Sequence, residues 1–147
     1  MTHVDFYILP DDQLTTSLSY ACKLAEKNWL SGKRVLIQTD SIEASRQIDD
    51  LLWNLRSESF IPHAIATLEL TDKQQPILIS HQKVNDESFQ SILNLSTRPS
   101  DIHAEGIKID EILNQDDERK QSGRNNYKVY RELGYTLEHH TLESADA

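Results

Sequence analysis

Glycine is scarce in this chain, with four in 147 residues, at 32, 106, 123 and 134. None of them follows the first strand-like segment, where "PDDQLTTS" puts two carboxylates into the loop. A dinucleotide needs bare backbone amides at that point. A Walker loop needs a glycine upstream of the "GK" at Gly32 and Lys33, and Lys27 stands there instead. Both loops argue against nucleotide binding. Cysteine is scarcer still. With Cys22 alone, no internal disulfide can form and a thiolate metal cluster is disfavoured, which fits a reducing cytoplasm.

Long apolar runs are missing too. No window approaches the roughly 18 apolar residues of a membrane span. The N-terminus "MTHVDFYILPDDQ" sets acids beside a short apolar run, unlike a basic-then-apolar signal peptide. The expectation is a cytoplasmic protein with no membrane partner. The six histidines show no zinc-type spacing, and the adjacent His139 and His140 would point to opposite faces of a strand. Neighbouring acids such as Asp49 and Asp50 diverge on a helix, so no catalytic pair emerges. Neither a cofactor, a metal nor an enzymatic activity is expected.

What is present reads as one α/β domain over residues 1–142, with 143–147 a frayed tail. "VDFYIL" is a buried-strand pattern stopped by Pro10. Leu14, Leu18, Ala21, Cys22, Ala25 and Trp29 recur at helical spacing, predicting a helix over 12–30 capped by Asp11 or Asp12. Gly32 is placed to terminate it. "RVLIQT" follows as a strand, so strand, helix and strand form a parallel unit. Asp40 and Glu43 resemble a capping box opening a second helix, with Ala44, Ile48, Leu51, Leu52 and Leu55 on its buried face. "PILISH", "SILNLS", "IKIDEIL" and "YTLEHH" are further strand candidates, and a last helix is expected from Gln115 to Leu133. The fold class is a three-layer, Rossmann-like α/β domain with a mostly parallel central sheet.

The charge is unevenly spread. "RKQSGRNNYKVYR", residues 119–131, carries five basic residues and no acid, so a net charge of −9 leaves −14 for the other 134 residues. On a helix, Lys120, Arg124, Tyr127, Lys128 and Arg131 form one stripe. One reading is a solvated helix end answering Asp116, Asp117 and Glu118. The other is a receptor for a small anionic partner, since arginine offers a planar fork to a carboxylate and tyrosine an apolar wall. One stripe on an acidic protein is too narrow to track many phosphates. It suits a short acidic peptide, or a terminal carboxylate with an apolar side chain beside it. Gly123 within the stripe costs roughly 1 kcal/mol of helix preference relative to alanine, predicting a kink or a late start. Trp53 and Phe60, outside the periodic apolar pattern, form either a protein-contact patch or a cluster packed beneath their loop.

"SGKRVLI", "LLWNLRSESFIPH" and "NNYKVYRELGY" resemble blocks of the chi subunit of bacterial DNA polymerase III holoenzyme, in the same order and at compatible spacing. The resemblance spans the whole chain, more loosely from about Thr67 to Ile107. It implies a Rossmann-like fold without nucleotide or enzymatic activity, and a tethering role in the clamp-loader assembly. By motif position it implies that Lys120, Arg124, Tyr127 and Lys128 bind the acidic C-terminal tail of the single-stranded-DNA-binding protein. It likewise implies that Trp53 and Phe60 contact the psi subunit, a surface that a helicase of the XPD-like class can also use. Nucleic acid is then met only indirectly. The rival functions are a direct single-strand binder and an unidentified α/β enzyme.

Overall fold

The computed structural model describes residues 2–54, 63–65, 75–84 and 88–143. Seven strands and three helices alternate as β1 (His3–Ile8), α1 (Leu14–Leu30), β2 (Val35–Gln38), α2 (Ile42–Asn54), β3 (His63–Ile65), β4 (Ile77–Ser80), β5 (Ser91–Asn94), β6 (Lys108–Leu113), α3 (Asp117–Glu132) and β7 (Thr136–Thr141). All seven strands pair in parallel, in the order β3-β4-β2-β5-β6-β1-β7. Every residue of β2, β4 and β5 is buried, as expected where helices or loops cover both faces of a parallel sheet.

Two cores result. On one face Leu18, Ala21, Cys22 and Ala25 of α1 and Ile48 and Leu52 of α2 pack on Val35, Ile37, Ile77, Ile79, Leu93 and Ile112. On the other, Tyr130 of α3 joins Val4, Phe6, Leu36, Leu78, Ile92, Ile109 and Leu113, closed by Phe89, Ile102 and Ile107 from the connecting segments. The mostly parallel three-layer reading holds.

The local departures have physical causes. Helix α1 begins at Leu14 rather than 12, because Asp11 accepts from the Gln13 amide (3.0 Å) and the Thr16 hydroxyl (2.8 Å) and so belongs to the turn. Leu14, in the first turn, is exposed rather than core. Strands β1 and β2 are parallel but not neighbours, since β5 and β6 lie between them. Asp40 and Glu43 make no capping box. Asp40 accepts from the Thr97 amide, and Ser41 caps α2 by accepting from the Ala44 amide at 3.1 Å. This start turns Ser45 inward and leaves Leu51 exposed, contrary to the apolar face expected from the sequence. Leu55 and the tail from 144 on lie outside the described residues. The backbone at Gly32 is left-handed, φ +88°, as its place after α1 requires.

Helix α3 is fixed by a polar clamp. Glu111 on β6 is fully buried and takes Arg119 Nη2 at 3.0 Å, Asn94 Nδ2 at 2.6 Å and the Tyr130 hydroxyl. Arg119 also donates to the carbonyls of Ile112 and Asn94 and to Ser122. Burial raises the Tyr130 pKa, and the Glu111 charge beside it pushes the same way, so the phenol stays a donor. Asp116 caps the helix by accepting from the Arg119 amide at 3.1 Å. The helix runs unbroken through Gly123, so neither the kink nor the late start occurs. A Cβ there would lie 2.8 Å from both Leu113 methyl carbons, so the glycine lets α3 sit close on β6.

Candidate partner-binding sites

Where α3 crosses β1 and β7, the surface opens into a cleft of about 420 Å³. Its apolar side is built from strand alternation and helix periodicity together. Phe6 of β1 stacks on His139 of β7, with ring centroids 5.1 Å apart and planes at 15°, and Tyr127 of α3 leans on both at 5.6 and 5.2 Å. Arg124, Lys128 and Arg131 complete its polar side, and the Arg131 guanidinium sits 5.9 Å from the Tyr127 ring centre.

Of the residues singled out in the sequence, Arg124, Tyr127 and Lys128 line the cleft together, joined by Arg131. Lys120 lies one turn earlier on α3, half-buried, and does not line it. Among the described residues no carboxylate lies within 4.0 Å of any of these four cations. Of the nearby acids, Asp116 serves as the helix cap. Among the described residues, then, the clustered charge has no carboxylate partner in ion-pair contact. Sequence reasoning missed Phe6 and His139. The alternation of β1 places Phe6 on the face of Val4, but nothing local says that β7 brings His139 beside it.

A second surface lies at the opposite edge of the sheet. Trp53, near the end of α2, is 54% exposed with Leu51 beside it in sequence at 36%. The indole meets His63 of β3 edge-on, with ring centres 5.2 Å apart and planes at 69°. His63 is buried, and its Nε2 lies 3.0 Å from Asp49. That contact braces the ring beneath an exposed tryptophan. Phe60 lies outside the described residues. From β3 to β7 the sheet spans six strand spacings, roughly 29 Å at about 4.8 Å each.

The crevice at the carboxyl ends of the strands, where α/β folds commonly hold nucleotides, measures about 310 Å³ and is lined by Asp12, Asp40, Asp116 and Glu118 among others. A polyphosphate would meet four carboxylates there. Cys22 is buried beneath α2, and burial pushes its thiol up to about 12, which makes it inert rather than nucleophilic.

Known proteins agree on the whole chain. The family model described as DNA polymerase III chi subunit, HolC, matches residues 1–138. The chain belongs to the DNA polymerase III chi subunit family. Among chi relatives, DNA polymerase III subunit chi of Pseudomonas aeruginosa is 30% identical over 97% of this chain and 98% of its own length. Its counterpart in Escherichia coli K12 is 32% identical over 93% and 96%, and that of Haemophilus influenzae 34% over 90% and 92%. A crystal structure of T4 UvsW shares the fold, with a TM-score of 0.67 at 8% identity over 96% of this chain and 41% of that one. This likeness, at so low an identity, speaks only to chain topology. In this chi-family chain the basic cleft and the exposed tryptophan lie at opposite edges of one sheet. No helix among the described residues is long and apolar enough to cross a membrane.

Proposed function

We propose that this chi-family chain is a non-catalytic adaptor within the clamp-loader assembly of DNA polymerase III, gripping the acidic C-terminal tail of the single-stranded-DNA-binding protein and docking on psi. The observation that carries the reading is the cleft, where cations with no carboxylate in ion-pair contact among the described residues stand over an apolar aromatic wall. That pairing of features suits an acidic peptide ending in an apolar side chain. The terminal carboxylate and the aspartates meet Arg124, Lys128 and, further along the helix, Lys120. The apolar side chain packs against Tyr127, Phe6 and His139. Bare nucleic acid would use the charge but leave the aromatic wall only partly engaged, on a protein whose overall charge repels phosphate.

Psi, or a helicase competing for the same place, is assigned to the Trp53 surface. An exposed tryptophan braced from beneath is the kind of residue that anchors a protein interface. The separation of the two surfaces supports simultaneous engagement, so that one partner is tethered to the other through the sheet.

The test is binding of a labelled peptide copying that tail to wild type and to Arg124→Ala. Saturable binding that weakens with salt, and several-fold with the substitution, supports the adaptor and its cleft. No binding to a folded wild type overturns the assignment.

A further inference from the structure

The histidines of this chain are spent differently. His3 and His140 each hold Asp5, at 3.0 and 2.9 Å, and His103 holds the Tyr135 hydroxyl at 3.0 Å. His63 lies 3.0 Å from Asp49. His139 is exposed in the wall of the basic cleft. Among the described residues its ring has neither a hydrogen-bond partner nor a carboxylate within 4.0 Å. Its contacts are aromatic, flat on Phe6 and tilted against Tyr127.

We propose that His139 is a specificity-determining residue of the cleft, a neutral aromatic wall at higher pH that becomes a further cation for an acidic peptide as pH falls. The inference rests on the adaptor reading and adds to it how the grip is regulated.

Three features support this. The first is the identity of the neighbours. From α3 the cleft receives Arg124, Lys128 and Arg131 together with the Tyr127 phenol. From β1 the ring meets Phe6, on a face of the strand that is otherwise apolar. On β7 alternation puts Leu137 and Thr141 on the same side as His139, and turns Glu138 and His140 away. Arginine, lysine and the carboxylates of a peptide keep their charges between about pH 5 and pH 8, and a phenol stays neutral. Imidazole is the side chain that changes charge there. Within the cleft, His139 is the group that can alter the balance.

The second is geometry. The N–H groups of an imidazole lie in its ring plane. Stacking at 5.1 Å with planes at 15° therefore occupies a face and not the donating edge. A protonated ring on an aromatic face is also stabilised by the ring beneath it. One residue thus serves both halves of the ligand, with its face in the apolar wall and its edge open to a carboxylate.

The third is linkage. A carboxylate brought into the cleft attracts the imidazolium more strongly than the neutral ring. Binding of an acidic peptide then favours the protonated ring, and by reciprocity the protonated ring favours the peptide. A proton is taken up on binding, so affinity rises as pH falls.

The experiment measures the affinity of the labelled acidic tail peptide for the full chain from about pH 8 to about pH 5.5, at constant ionic strength. Wild type should tighten by about three- to ten-fold, between the effects of an exposed ion pair and a charge-assisted hydrogen bond. His139→Phe keeps an aromatic wall and should bind with a flat profile. His103→Gln, outside the cleft, should retain the slope. In NMR spectra of wild type, the His139 ring should stay protonated to higher pH with the peptide bound than without it, a readout that requires no variant to fold. No binding at any pH overturns the cleft reading and this inference with it. Binding with a flat wild-type profile, a slope that persists in His139→Phe, or a ring titration indifferent to the peptide overturns this inference alone.

Discussion

Arg119 and Arg124 stand five residues apart on one helix and share a side chain, yet they do opposite things. Arg119 is buried, and its guanidinium is shared among Glu111, Ser122 and the carbonyls of Ile112 and Asn94. Arg124 is exposed at the cleft with no carboxylate in ion-pair contact among the described residues. Five residues turn the helix by roughly 140° beyond a full revolution, enough to carry one arginine under the helix and the other to its rim. One cation holds the helix in place. The other stands exposed at the cleft, where the proposed function places a partner.

The widest test of that contrast is to break the buried side. Glu111→Gln leaves the Arg119 charge buried without its counter-ion, and the expected loss is about 3–5 kcal/mol in urea unfolding. The reverse change, Arg119→Met, strands Glu111 and should cost a similar amount. Removing both together should cost much less than the sum, because no uncompensated charge then remains. A loss below about 1 kcal/mol for Glu111→Gln would show that the two arginines differ less than their surroundings suggest.

On the exposed surfaces the pattern inverts, and stability should barely change while binding fails. Trp53→Ala should cost on the order of 2 kcal/mol or more in psi binding. It should leave tail-peptide affinity intact, since the two surfaces lie at opposite edges of the sheet. Arg124→Ala should cost about 1.5–3 kcal/mol in peptide affinity, as befits a lost charge-assisted bond, with unfolding free energy within about 0.5 kcal/mol of wild type. Surface plasmon resonance on both partners with both variants would expose any cross-talk.

Much of this was legible beforehand because it is local. The 3.6-residue recurrence of Leu18, Ala21, Cys22 and Ala25 marks the buried face of α1, and the β-branched runs mark strands that are covered on both sides. Arg124, Tyr127 and Lys128 share a stripe for the same reason. What stayed hidden depends on tertiary placement. Arg119 counts as one more cation until β6 brings Glu111 under it. His139 is an exposed residue of the edge strand, as the sequence suggests, but only the pairing of β7 with β1 reveals that it lies on Phe6. Asp40 fits a capping box by spacing, yet its carboxylate is used by Thr97, fifty-seven residues away. Gly123 reads as a defect by propensity and is a packing requirement in place. Alanine at that position should lose about 1 kcal/mol net, as overpacking against Leu113 outweighs the gain in helix preference. Urea unfolding would measure it.

The smallest effect belongs to Cys22, which offers a way to read the same contrast in the native state. Its thiol is buried, its Sγ lies 3.9 Å from the Ile48 carbonyl, and burial moves its pKa from 9.0 to about 12. The folded protein therefore keeps the proton longer than the unfolded chain does. Cys22 contributes no stability change below pH 9, and stability falls as pH rises from 9 toward 12, where the unfolded thiol ionises first. At pH 8 an alkylating reagent should react with Cys22 only when the core opens. The rate then reports the open population, and every 1.4 kcal/mol of destabilisation should speed labelling by about ten-fold when reclosing is fast. Glu111→Gln should accelerate it by two orders of magnitude or more on the loss expected above, on the order of 10²–10³, whereas Arg124→Ala should not change it. Equal acceleration in both variants would mean that Arg124 also holds the fold together, and that the division between the two sides of α3 is not real.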